Sequence, residues 1–146
     1  MPTGIAGEML RTETIVVVVP RGFRFPRVGG LAELADQSWI VNPPGCNGRR
    51  ALQGAFDKAG LRLNIALETS GTGLQFALIE GGRGIGAFLS SVVKASNFRN
   101  SISIIRPADF HPRLSIWTAY HPNSPRLTQP IRALSEALKN RDGVSG

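Results

Sequence analysis

The chain of 146 residues is short of the side chains on which small catalytic and metal-binding proteins depend. It has one cysteine, Cys46, and two histidines, His111 and His121. A single cysteine excludes an internal disulfide, and a reducing cytoplasm is the default setting for such a chain. Cys46, His111 and His121 are not spaced as a zinc ligand pair, so no metal site is expected. Both histidines precede proline in loop-like surroundings, and no serine stands in an elbow motif. Glu80, Asp109 and Glu136 are scattered over separate elements. Neither a nucleophile triad nor an acid–base pair is indicated, and no enzyme activity and no cofactor are expected. Long apolar runs are missing as well. The longest, residues 15–19 (IVVVV), is far too short to cross a bilayer, so no membrane association is read. The first eight residues hold no charged stretch followed by a long apolar core, and no secretory leader is expected.

What remains is the composition of one globular domain, 42% hydrophobic and 18% charged. The net charge of +7 invites a nucleic-acid reading. The arginines are dispersed, however, at Arg21, Arg24, Arg27, Arg49, Arg50, Arg62, Arg83 and Arg99, without a basic run or interleaved aromatics. That pattern describes a solvated basic surface.

The most informative stretch is residues 68–90, ETSGTGLQFALIEGGRGIGAFLS. Thr69, Ser70 and Thr72 offer hydroxyls to cap a helix. Leu74, Ala77 and Leu78 recur at helical spacing, flanked by Phe76 and Ile79. Gly81 and Gly82 stop that helix, and residues 85–89 read as a short strand. Gly84 and Gly86 in that strand let a helix, another backbone or a ligand come close.

The other elements follow the same logic. Residues 10–19 form a strand whose continuous β-branched run predicts burial on both faces. A short amphipathic helix is expected within 28–37, a strand over 38–41, and an irregular loop at 42–47 (NPPGCN), where two prolines forbid regular structure. A helix over 48–59 begins at an Asn47 cap and stops at Gly60. Residues 61–67 alternate as a strand, with Leu61, Leu63, Ile65 and Leu67 on one side. Strands are expected over 101–106 and 114–120, with a turn at 121–125. A last helix spans 127–140, with Ile131, Leu134, Ala137 and Leu138 on its stripe and Pro130 in its first turn. Residues 142–146 are expected to fray. Strands alternating with helices indicate an α/β fold.

The order of these motifs, from LAELADQSWIVNPPGCNGRRALQGAFDKAGL to ALETSGTGLQFALIEGGRGIGAFLS, resembles the effector-binding domain of LysR-type transcriptional regulators over about residues 10–138. The resemblance implies a type 2 periplasmic-binding-protein-like α/β fold. It would comprise mainly the second subdomain (28–107), two hinge strands (10–20 and 113–121) and the C-terminal helix (125–141). It departs from the family in lacking the helix-turn-helix and most of the first subdomain, and in having Ser90 where the family often has proline.

The function this implies is effector sensing. A small, anionic metabolite would bind in the cleft between subdomains and control DNA-dependent transcription in a cytoplasmic, bacterial homo-oligomer. DNA would be reached only through a helix-turn-helix absent from these residues. With half the cleft missing, weak or absent binding is expected unless another chain completes it. A solute-binding protein of transport and a small α/β enzyme are the alternatives. The expected effector residues are Asn42, Pro43, Pro44, Gly45, Cys46 and Asn47, whose loop opens a helix N-terminus that favours an anion. Glu68, Thr69 and Ser70, at the C-terminal end of a strand, and Gly84 join them. Cys46 is read as a small packing residue, for lack of a partner. GGRGIG is not a dinucleotide loop, because it follows a helix instead of a strand.

Overall fold

The computed structural model describes residues 3–123 and 125–142. Backbone contacts divide the chain into two units, one formed by Thr14–Arg113 and one by Met1–Glu13 with Leu114–Gly146. Strand β1 (Ala6–Pro20) contributes residues to both.

In the larger unit, β1 is the central strand. It runs antiparallel to β4 (Gly86–Leu89) on one side and to β5 (Ile102–Ile105) on the other, with Val17 opposite both Ala87 and Ile105. A strand covered on both faces must be apolar at both parities. The run 15–19 satisfies this, with no residue more than 4% exposed. Strands β2 (Trp39–Val41) and β3 (Ile65–Glu68) form a parallel pair. Ile85, the residue before β4, joins this pair to the rest: it accepts from the Ile40 amide at 2.8 Å and donates to Ser38 O at 2.9 Å.

Helix α1 (Asn47–Lys58) follows β2, and α2 (Thr72–Glu80) follows β3. Both end as the glycines predict. Gly60 (φ +69°) and Gly82 (φ +74°) adopt the left-handed conformation. Each helix closes with a pair of bonds, Gly60 N to Asp57 O with Leu61 N to Phe56 O, and Gly82 N to Ile79 O with Arg83 N to Leu78 O. A short helix α3 (Ser90–Ala95) follows β4. Phe76 and Phe88, with ring centroids 4.6 Å apart, centre a core shared with Val16, Val18, Ile40, Ile79, Val93 and Ile102. Trp39 meets Phe56 edge-on, with ring centroids 5.4 Å apart.

Several boundaries differ from expectation, each for a local reason. The helix expected within 28–37 is a single 3-10 turn, Leu31–Leu34, whose last carbonyl is taken by Trp39 Nε1 at 3.2 Å. The strand expected over 61–67 is confined to β3, because Leu61 is used by the α1 cap. Leu63 is buried, whereas Ile65 and Leu67 are 38% and 39% exposed in a strand paired with β2 alone among the described residues. The N-cap residues are Cys46 and Gly71, not Asn47 or the hydroxyls before α2, and neither helix has a side-chain cap bond. β1 begins at Ala6, earlier than expected.

In the smaller unit, β6 (Arg113–Tyr120) pairs with β1, and from Leu114 onward it alternates half-buried with exposed side chains. Helix α4 (Pro125–Asp142) carries Pro130 beyond its first turn, because Pro125 already occupies the opening position. Its best-covered residue is Ser135, whose Oγ lies 3.2 Å from Thr118 Oγ1. The predicted stripe is only partly used: Leu134 is 55% exposed, and Met9, Trp117 and Leu127 are comparably open. Lys139 pairs with Glu8, and Arg11 with Glu13 at 2.7 Å. Of the tail expected to fray, Asp142 closes α4 and residues 143–146 lie outside the described residues. Among the described residues no helix is long and apolar enough to cross a membrane, and no cluster of metal-ligating side chains occurs.

Candidate functional site

Because β2 and β3 are parallel, their C-terminal ends emerge on one edge, followed by Asn42 and Thr69. Thr69 N donates to Val41 O at 2.9 Å, which carries the pairing one step past the strands. The carboxyl edge of parallel strands is where open α/β sheets bind ligands. Two helices start at this edge. Arg50 N bonds Cys46 O in α1 and Gln75 N bonds Gly71 O in α2, so the first-turn amides before them have no acceptor within their helix. With no side-chain caps, both termini offer N–H donors and the positive ends of their dipoles.

A side-chain network ties the edge together. Arg49 Nη1 donates to Asn42 O at 2.7 Å and to Glu68 Oε2 at 2.9 Å. Gln75 Nε2 donates to Asn42 Oδ1 at 3.2 Å and to Thr69 O at 2.8 Å. Thr69 Oγ1 accepts from Gly71 N at 3.4 Å. Gln75 is 1% exposed, and its Oε1 is buried without a hydrogen-bond partner. The loops that end β2 and β3 are therefore held to each other by side chains from the helices that follow them.

The structure brings Asn42, Glu68 and Thr69 into this network. Pro43, Pro44, Gly45, Cys46 and Asn47 continue from Asn42 into α1, and Ser70 stands exposed beside Thr69. Cys46 is exposed, which corrects its reading as a packing residue: as the cap residue it turns outward from the loop. Gly84 does not belong here. A Cβ on it would lie 2.6 Å from Ser38 O, at the opposite end of β2 from Asn42. The three residues of β2 separate those ends, four steps or about 13 Å. Its missing side chain admits the β2 backbone, not a ligand.

Arg49 and Gln75 are not among the site residues the sequence suggests. In the sequence Arg49 is one of many scattered charges. Gln75 had a visible signal: it falls beside Phe76 and four residues before Ile79, a polar residue on the stripe that packs inward. Gln75→Glu is expected to destabilise the larger unit by about 2–3 kcal/mol, since it sets a buried carboxylate against two carbonyl acceptors. Chemical denaturation of the variant checks this, and an unchanged midpoint would mean the bonds to Asn42 and Thr69 are not made.

Space at the edge is open, and the void enclosed by Asn42, Arg49, Leu52 and Ala87 is only about 10 Å³. A larger hollow of about 530 Å³ lies by the C-terminal half of α1, lined by Ala55, Lys58, Phe110 and His111 among others. Its polar groups are largely spent: Asp109 Oδ1 accepts from Leu31 N, and His111 Nε2 bonds Ala108 O. The edge is the better candidate because two helices begin there with no side-chain cap on their first-turn amides.

Parallel strands whose carboxyl edge receives two uncapped helices fit a periplasmic-binding-protein-like α/β fold. The family model of the LysR substrate binding domain matches residues 1–143, and the chain belongs to that family. No curated protein sequence matches it. Among solved structures it is similar to the regulatory domain of Synechocystis PCC6803 CcmR in complex with 2-PG. Identity there is 17%, over 97% of this chain and 69% of that one, with a TM-score of 0.80. HinK, a LysR family transcriptional regulator from Pseudomonas aeruginosa, is 18% identical over 97% of this chain and 49% of its own, with a TM-score of 0.76. The effector binding domain of QuiR in complex with shikimate is 17% identical over 96% and 66%, with a TM-score of 0.72. The chain thus spans about half the length of HinK.

Proposed function

We propose that this chain senses a small anionic metabolite at the edge formed by the ends of β2 and β3, and that within a longer regulator this controls DNA-dependent transcription. The observation that carries the reading is that two uncapped helices, starting at Asn47 and Thr72, each send a side chain, Arg49 and Gln75, to Asn42 at the ends of β2 and β3. Family membership supports effector sensing, and the 2-PG and shikimate bound to the CcmR and QuiR domains support a small ligand.

The ligand acts by population shift. An anion bound across the two loops favours the arrangement in which both termini point at it, and only that difference in affinity changes the state of the regulator. DNA contact belongs to a separate segment of the longer protein, working in the cytoplasm as a homo-oligomer. The half-exposed Met9, Trp117, Leu127 and Leu134 of the smaller unit support self-association.

A thermal-shift screen of small carboxylates and phosphates, each paired with a neutral amide or ester of the same shape, tests this. At a concentration ten times its Kd, a binding anion is expected to add about 1.4 kcal/mol of stability, while its neutral partner adds none. Equal effects from charged and neutral members, or no effect from any, would overturn the reading.

A further inference from the structure

Arg49 has recognition capacity that the protein itself does not use. Its side chain is 14% exposed, so the charge is largely withdrawn from water and requires an anionic partner. Both of its bonds leave from Nη1. Nε and Nη2 form the side of the guanidinium whose parallel N–H groups match two oxygens of a carboxylate or phosphate. They make no hydrogen bond to the protein among the described residues, and neither is shut away from solvent. The partner on Nη1, Glu68, is 44% exposed and meets Arg49 through one oxygen. A monodentate pair with a half-solvated carboxylate is weakly held. A bidentate oxyanion on the open side of the fork is the stronger arrangement.

We propose that Arg49 is the anion-binding side chain of this edge and that Glu68 is an internal carboxylate whose charge competes with the ligand's. The incoming carboxylate or phosphate group takes the Nε–Nη2 side, while Glu68 stays on Nη1 and opposes the added charge. This rests on the edge being the ligand site, and it goes further by naming the group that binds and the group that competes. It also selects between anions. With Glu68 in place the edge is locally neutralised, so chloride, which cannot span two N–H groups, gains little, while an oxyanion gains a bidentate contact.

The test is a titration of the isotopically labelled chain with inorganic phosphate, acetate and chloride. Backbone amides of residues 45–49 and 71–74 are followed together with the Arg49 Nε–H signal. In the wild type, phosphate and acetate shift the Arg49 signal and the edge amides, and chloride does not. Glu68→Gln keeps the shape and removes the competing charge, and is expected to tighten phosphate roughly fivefold. Arg49→Met loses the edge response. Arg49→Lys keeps the charge without the fork and loses the acetate response. Because Arg49→Met also removes the bond to Asn42 O, the lysine variant is the arm read if signal dispersion falls. If both arginine variants and Glu68→Gln titrate like the wild type at the edge amides, Arg49 is not the binding group, although the edge still binds anions. If no edge amide responds to any anion in any variant, both this proposal and the effector reading fail.

Discussion

Gly84→Val is expected to destabilise the Thr14–Arg113 unit by roughly 3 kcal/mol or more, a large share of a domain's stability. The Cβ alone would stand 2.6 Å from Ser38 O and 3.1 Å from Ile40 Cγ1 and Cδ1. The first of these neighbours is backbone and cannot swing aside. Ser38 O accepts from Ile85 N at 2.9 Å, and Ile85 O accepts from Ile40 N at 2.8 Å. Relief would mean pulling β2 away from the strand that links it to the sheet. Overpacking that forces backbone apart costs roughly 3 kcal/mol or more, against a total stability of about 5–15 kcal/mol for a domain. Two tryptophans report on the two units: Trp39 is fully buried in the larger and Trp117 is 50% exposed in the smaller. Guanidinium unfolding followed by Trp39 emission in a Trp117→Phe background isolates the larger unit. A midpoint unchanged by Gly84→Val would mean that β2 does not lie against residues 84–86.

Trp39→Ala is the second large effect. Trp39 and Phe56 are both fully buried and meet edge-on at 5.4 Å, so truncation opens a cavity between β2 and α1. Removing a buried tryptophan costs about 3–5 kcal/mol. The indole also donates to Leu34 O, which ends the 3-10 turn, and that carbonyl would keep only its bond from Gln37 N at 3.1 Å. Trp39→Phe separates the two contributions. It restores most of the packing but not the bond, and is expected to recover all but about 1–2 kcal/mol. Far-UV circular dichroism in denaturant follows both variants without needing the lost fluorophore. Equal losses in the alanine and phenylalanine variants would show that the hydrogen bond, not the ring pair, dominates.

The patterns legible in the sequence were those set by one chain property at a time. Residues 15–19 read as a doubly covered strand because continuous β-branched residues suit little else. Gly60 and Gly82 read as helix stops because a left-handed backbone favours glycine. NPPGCN read as the opening of a helix at a possible anion site because its prolines exclude regular structure, and the structure brings its Asn42 together with Glu68 and Thr69. Features that depend on two distant segments were not legible. Gly84 reads the same whether a ligand or a backbone approaches it, and only the register of β2 decides in favour of Ser38 O. Hydroxyls before α2 suggested a side-chain cap, but the chain places Gly71 at that position. Arg49 is one arginine among many until Asn42 and Glu68 are brought within 3 Å of it.

The most direct measurement is a map of backbone amide shifts on titration with an anion that stabilises the chain in the thermal screen. The account predicts that the largest changes fall on residues 45–49 and 70–74, where the first turns of α1 and α2 begin, with Gly84 silent. Changes centred on Lys58, Phe110 and His111, around the larger hollow, with residues 45–49 unmoved, would contradict it.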